Sequence, residues 1–560
     1  MSPSAAANSA TDHLTPARAA PGRRPTTMRL LPWFIVLLQL GWWSYGVWPI
    51  VPLEGDDQGV MFGVEGMVRG DPVLGHMRYL YEVQPGAYHV LARLTRLTGA
   101  SIQTVFGCAT IAGAAAFALA GAWLLRTLLA WPLAWTLVAM LWCQEVTAAA
   151  CYANTSALAG GAAILAVLLA SRPERLAWLW SGLVLALAGW LRADSLLVAP
   201  ACLGLAYWRQ AAWGPAALRT LAIAATAAAG VAGLYWLSGA SLQQGFETYA
   251  GRGYFLSGWR TLAETPALLL SPVLAVSTLI GSGLLLRRRA YGLGLVVISG
   301  LLPSLVAYGT SLSTPKYLYY VIPFALLPGL DLLGGLGRKM SQLPRRSAWL
   351  AGLGVVGVLL ADGLVGLRTL QPAERYFTTS PTLTDLFQIK TRTKTFGLVV
   401  GPGELLINAD GFRLRAGQWF APGCWHREKS RMQTELATLH NRLADGYDLT
   451  LYWSGWLPYQ MARRELLATG FRPADLSTFE QTVNYQGDWC KLGRVVHLSF
   501  LGYIGSPYQA PGLAPAGSTS SDTYFIGDGA RRPVTELADG RRWQLVSTVP
   551  EGFISLYQRR

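Results

Sequence analysis

Between residues 30 and 368 the chain alternates mostly apolar stretches of about 16 to 24 residues with polar connections. At 1.5 Å per residue, helices of that length match a hydrocarbon core about 30 Å thick. This repeat leaves little choice of fold, because inside a bilayer each backbone N–H and C=O must find its partner within the segment. The first stretch runs from Leu30 to Pro52. It is long, carries Trp and Tyr along its length and shows no small-residue cleavage site before Glu54, so it reads as an uncleaved helix rather than a signal peptide. Ten more are expected near 103–125, 131–149, 154–170, 176–191, 195–208, 220–238, 266–286, 291–308, 317–335 and 348–368. Hydrophobic side chains at 52% and charged ones at 14% exclude an ordinary soluble protein. The expected architecture is a polytopic α-helical membrane protein of about 11 transmembrane helices.

The formal charge of +15 fits that architecture better than a nucleic-acid partner. With residues 1–27 read as a disordered cytoplasmic tail, arginines fall in each connection on the same side: Arg126, Arg172 to Arg175, Arg209 to Arg219, Arg287 to Arg289 and Arg338 to Arg346. The opposite loops are longer and richer in acidic, aromatic and Gly residues. Cys108, Cys143, Cys151 and Cys202 lie in or beside apolar stretches and read as small buried hydrophobes.

Residues 28–370 therefore read as the membrane domain and 371–560 as a second, outward-facing α/β domain, where charges return and apolar runs shorten. Strands are expected at Glu404 to Asn408 and Asp448 to Trp453, helices at His426 to Leu443 and Tyr459 to Thr469. A further strand pair is expected over 494–502 and 542–558, with a long Pro, Gly and Ser-rich loop from Gly505 to Ser521 between. Cys424 and Cys490 are candidates for a disulfide in an oxidising compartment.

The first outer loop, 53–101, is far longer than adjacent helices need. It opens with the carboxylates Asp56 and Asp57. A helix with Val60, Phe62, Val64, Met67 and Val68 on one side follows, suited to lying flat on the membrane and ended by Arg69-Gly70-Asp71-Pro72. Tyr81 to Leu91 then leads back towards the bilayer.

These residues resemble the GT-C glycosyltransferases that use polyprenyl-phosphate sugars, in particular the branch of protein O-mannosyltransferases and lipid A aminoarabinose transferases. Asp56-Asp57 falls on that family's acidic pair, Gly70-Asp71-Pro72 on its Gly-Asp element and Gln84-Pro85-Gly86 on its Pro-Pro turn. More loosely, Arg192 in Gly189-Trp190-Leu191-Arg192 and Lys316 in Thr314-Pro315-Lys316-Tyr317 match basic residues near two spans. The resemblance covers residues 28–335, with a C-terminal cap similar in kind. Two positions depart from it: Asp57 stands for a Glu, and Gln84 replaces a basic residue, leaving Arg78, His89 or Arg93 to supply that phosphate contact, or a different donor.

The resemblance implies transfer of a sugar from a lipid phosphate to a hydroxyl of a lipid, glycan or protein. Such transfer needs a base at the attacking oxygen and positive charge at the leaving phosphate. Asp56 is the expected base; Asp57 either raises proton affinity at the pair or binds acceptor or a divalent ion. Because the donor already carries its leaving group, attack is direct and inverting. Arg192, Lys316, Arg78, Arg252 and Arg260 are the candidate phosphate ligands. Arg192 has a second reading, as a helix-end residue that snorkels or pairs with Asp194. Glu145, His89 and Tyr81 are candidates for the acceptor side or the loop; Glu145 is otherwise a wet helix-end residue and His89 a local hydrogen-bond donor.

His76 and His89 do not form a zinc spacing, no nucleotide fingerprint is present, and Asn154-Thr155-Ser156 reads as a chance glycosylation pattern beside a span. No cofactor is therefore expected beyond a divalent ion at most, and the partners are the lipid-linked donor, the acceptor and membrane lipids. The composition suggests a bacterial inner membrane with a periplasmic active face. An O-antigen polymerase or ligase, a transporter or flippase, and an assembly protein are the rival readings. The charges lie at outer helix ends rather than midspan and no repeat relates two halves, which weighs against transport.

Overall fold

The structure, a computed structural model, describes residues 26–47, 55–70, 78–151, 155–210, 212–244, 270–309 and 315–340, isolated positions shortly after, and the backbone of ten short strands between 399 and 559. The first helix, α1 (Thr26–Val47), is followed by three loop helices: α2 (Gly55–Arg69), α3 (Arg78–Val83) and α4 (Pro85–Thr98). Then come α5 (Ile102–Leu129), α6 (Leu133–Trp142), α7 (Gln144–Cys151), α8 (Thr155–Ala170) and α9 (Arg175–Leu191). A 3₁₀ turn (Ala193–Val198) leads to α10 (Ala201–Gln210) and α11 (Trp213–Ser238). After an interval come α12 (Pro272–Arg287), α13 (Tyr291–Gly309), a second 3₁₀ turn (Pro315–Val321) and α14 (Ile322–Met340).

Among the described residues, three helices are long and apolar enough to cross a membrane, Ile102–Leu129, Trp213–Ser238 and Leu318–Lys339, and six shorter apolar helices accompany them. Two expected spans are broken. The 131–149 segment divides at Cys143, whose ψ of 127° leaves the helical region, and 195–208 starts as the 3₁₀ turn before α10. Polar residues stand beside both breaks, Gln144-Glu145 after Cys143 and Arg192 with Asp194 before Ser195, but a window long enough to find a span averages over them. The span expected at 348–368 lies outside the described residues.

Helix packing relies on small side chains, as expected where lipid offers no hydrophobic drive between helices. Gly113 on α5 lies against α8 so closely that a Cβ there would sit 2.5 Å from the Ala157 carbonyl oxygen. The core then combines Ala157, Ala159, Ala163, Ala166 and Val167 with Phe117, Tyr319, Tyr320 and Phe324. Outward faces of α1, α9 and α11 expose Leu37, Leu187 and Leu221, as lipid-facing positions should. Cys143 and Cys202 are buried as expected, but Cys108 is exposed, on the outward face of α5. Arg219, expected in a connection, instead lies inside α11, which begins at Trp213, and is buried.

The strands form two sheets. β1 (Val399–Gly401), β2 (Glu404–Leu406) and β3 (Arg413–Arg415) pair in an antiparallel sheet. The other sheet contains β4 (Leu449–Leu451), β5 (Trp489–Leu492), β6 (Val496–Ser499), β7 (Tyr524–Gly527), β8 (Val534–Glu536), β9 (Arg542–Thr548) and β10 (Ser555–Arg559). Its order is β5-β6-β4-β7-β10-β9-β8, with β4 parallel to both neighbours. The strands expected near 404 and 448 are present, whereas 542–558 contains two antiparallel strands, Arg542–Thr548 and Ser555–Arg559, rather than one. Nor does this segment pair with the 494–502 strand: β6 lies between β5 and β4. The helices expected at 426–443 and 459–469, and Cys424, lie outside the described residues; Cys490 lies on β5.

Candidate active site

Local sequence sets the geometry of the first loop. Pro85 occupies the first turn of α4, where a missing N–H costs nothing, and Gln84 precedes it outside the helical region, at φ −151° and ψ 46°. Asp56 and Asp57 occupy the first turn of α2. The apolar side of α2 is buried against protein: Val60, Met61 and Val64 are buried and α2 packs on α4. Of the face expected on the membrane, Val60 and Val64 are thus buried in protein, while Met67 and Val68 are half-buried. The fit is close at Gly63, where a Cβ would approach the Tyr88 ring to 2.5 Å.

The helix α4 is fastened in turn to the ends of three longer helices. A Cβ at Gly86 would lie 2.6 Å from the Trp190 ring, so only glycine allows this approach to α9. Beside it, Thr155 Oγ1, in the first turn of α8, donates to Gln84 Oε1 at 2.6 Å and accepts from Arg192 Nη1 at 2.7 Å. Arg192 Nη1 lies 3.4 Å from Gln84 Oε1 as well. Arg192 Nε donates to both carboxylate oxygens of Asp194 at 2.9 and 3.0 Å, and the Tyr320 hydroxyl donates to Asp194 Oδ1 at 3.2 Å. One polar chain thus links the outer loop, α8, α9 and both 3₁₀ turns. It is partly open: the Arg192 and Asp194 side chains are 15% and 18% exposed.

A second cluster joins the loop to the end of α11. The Tyr81 hydroxyl donates to the Ser238 carbonyl, and Trp190 Nε1 donates to Ser238 Oγ at 2.7 Å. With its own proton used, the Tyr81 oxygen accepts from His89 Nε2 at 3.1 Å. His89 stacks on Trp190 with planes 16° apart. Burial pushes the imidazole pKa down from its ordinary value, and the Ser238 carbonyl acts in the opposite direction. Glu82, buried, accepts from the Ser241 backbone N–H.

The structure therefore brings Tyr81, His89 and Arg192 to one corner. Arg192 pairs with Asp194, the second reading of that residue, while also reaching the loop. Glu145 is fully buried in the first turn of α7, which excludes the wet-surface reading. Arg93, an alternative phosphate ligand, is exposed on α4. Arg78 opens α3 and Lys316 lies on the 3₁₀ turn that carries Tyr320, with side chains outside the described residues; Arg252 and Arg260 also lie outside them. Sequence reasoning missed Thr155, Ser238 and Tyr320. Thr155 was hidden in the dismissed Asn154-Thr155-Ser156 pattern, and nothing local marks the other two.

No protein-family model matches the chain, and comparison with curated proteins finds no match. Among solved structures, the chain is similar to ArnT from Cupriavidus metallidurans bound to undecaprenyl phosphate, with 15% identity over 95% of this chain and 98% of that one and a TM-score of 0.52. The same protein in the apo state matches at 16% identity over 78% and 85%, with a TM-score of 0.46. This chain has the ArnT fold. At this identity the likeness is one of fold, and among the described residues that fold includes helices apolar and long enough to cross a membrane.

Proposed function

We propose that the chain is an integral-membrane glycosyltransferase that moves a sugar from a polyprenyl-phosphate donor to a hydroxyl of a lipid, glycan or protein. One observation carries the reading: on an ArnT-like fold, Arg192 sits at a partly open corner tied through Thr155 and Gln84 to the loop that bears Asp56. The neighbour's bound undecaprenyl phosphate supports the lipid class of the donor. In this reading Asp56 takes the acceptor proton as its oxygen attacks the anomeric carbon. The carbon–oxygen bond to phosphate breaks, and the lipid phosphate leaves with the electron pair, inverting the centre. Asp57 binds acceptor. Arg192 and Lys316, with Arg78, Arg252 and Arg260, balance the charge left on phosphate. Tyr81, His89 and Glu145 shape the acceptor side.

The corresponding organisation is a tail over 1–27, a membrane domain over 28–370 and a periplasmic α/β domain over 371–560, in a bacterial inner membrane. Purified full-length protein should transfer labelled sugar from at least one member of a panel of polyprenyl-phosphate sugars. Asp56→Asn should abolish that transfer while leaving the detergent-solubilised fold unchanged. Absence of transfer from the whole panel would sink the reading; near-normal turnover by Asp56→Asn would remove Asp56 as base and leave the class standing.

A further inference from the structure

Two edges of the Arg192 guanidinium are fixed by groups that the transfer reaction itself does not require. Nε meets both oxygens of Asp194, while Nη1 meets Thr155. A guanidinium is planar, so fixing two edges fixes the direction of the third. Asp194 is itself held, because the Tyr320 hydroxyl donates to Oδ1. Tyr320 is 1% exposed and lies on the 3₁₀ turn Pro315–Val321, more than a hundred residues from Arg192 in sequence. The tight 3₁₀ geometry brings this hydroxyl to the C-terminal end of α9, where the chain is extended at Arg192 (φ −163°, ψ 118°) rather than helical. The extended residue turns the guanidinium out of the helix and allows Asp194, two positions on, to reach back to it.

We propose that Tyr320 and Asp194 are positioning residues that aim the Arg192 guanidinium at the donor phosphate. The inference rests on the reading of Arg192 as a phosphate ligand. Neither Tyr320 nor Asp194 touches the donor. Asp194 sets the plane of the guanidinium and Tyr320 sets Asp194, so the cation meets its anion without first being ordered. Pre-ordering of this kind lowers the entropy cost of binding and raises affinity without altering the chemical step.

The test is a double-mutant cycle on full-length protein in detergent, with undecaprenyl phosphate as the probe and its Kd as the readout, accompanied by kcat and KM in the transfer assay. Tyr320→Phe should raise Kd about tenfold, the size of one hydrogen bond to a charged group. Asp194→Asn, which keeps the side-chain shape, should do at least as much. Both should raise donor KM and leave kcat within about twofold, a split that general misfolding would not give. In an Arg192→Ala background neither change should have a further effect. Unchanged Kd in Tyr320→Phe and Asp194→Asn, with Arg192→Ala impaired, would overturn the positioning role and leave Arg192 as a phosphate ligand. Additive losses in the double variants would also overturn it, by showing action independent of Arg192. Normal binding by Arg192→Ala, or none by the wild type, would instead remove the underlying reading, and the positioning role with it.

Discussion

The two ends of the α8–α9 hairpin each hold a largely buried arginine, and the two are held differently. At the end closed by the 171–174 turn, Arg219 from α11 donates through Nη1 to the Ala170 carbonyl at 3.2 Å and lies 4.5 Å from the centre of the Trp178 ring. Its partners are a helix C-terminus and an aromatic face, which suit a cation that has only to hold α11 against the hairpin. At the open end, Arg192 meets a carboxylate, a threonine hydroxyl and a glutamine, and remains partly accessible. The same residue type is thus a fastener where a carbonyl, an aromatic face and the nearby Glu174 carboxylate hold it, and a candidate ligand where polar partners orient it and leave it partly exposed.

That contrast can be broken by separating activity from stability. The largest effect is expected at the loop the open end supports: Asp56→Asn should lower kcat by about 10²- to 10⁴-fold, measured as initial transfer rate, with thermal unfolding unchanged. Arg192→Ala comes next. It should raise donor KM by about 10- to 100-fold, as expected for losing charge-assisted hydrogen bonds to phosphate, and shift the unfolding midpoint little. Arg219→Ala should do the reverse, costing about 2 kcal/mol in a detergent unfolding titration through loss of the ring contact and the carbonyl bond, with kcat and KM retained by the folded fraction. If Arg219→Ala impaired transfer without loss of stability, the division between fastener and ligand would fail.

The smallest effect concerns pH. Burial lowers the His89 pKa below the ordinary 6.5, so the unfolded chain takes up this proton first as pH falls. His89 should therefore subtract stability progressively below about pH 6.5, level off beneath its folded pKa, and contribute no slope above pH 6.5. His89→Gln should flatten that part of the stability profile, and an unchanged profile would show that His89 is not the group responsible.

Hydropathy made most of the helices legible, since a membrane segment must be apolar over its whole length. It did not show where they break, because a span-length average hides the few polar residues, Gln144-Glu145 after Cys143 and Arg192 with Asp194, that mark the two places. The long first loop and its Asp56-Asp57 pair stood out because they departed from that background. Gln84 was visible only as a departure from a family pattern, and its contact with Arg192, 108 positions away, has no sequence signature. Thr155 was overlooked for the same reason, since a hydroxyl at a helix start is common and its importance comes from what folds onto it. In the C-terminal half, strand content was readable but pairing was not, because β4 joins strands that follow it by tens of residues.

That pairing dictates an order of assembly. β4 ends at Leu451, yet its two parallel neighbours start only at Val496 and Tyr524. As the chain is made from its N-terminus, the middle of the seven-stranded sheet stays without both edges paired until Gly527 has emerged, and its closure depends on contacts distant in sequence, which form slowly. A nascent chain stopped before β7 would present β4 as a bare edge to any other strand in the same compartment, making this interval the point in the protein's life at which a helper that shields strand edges would matter most.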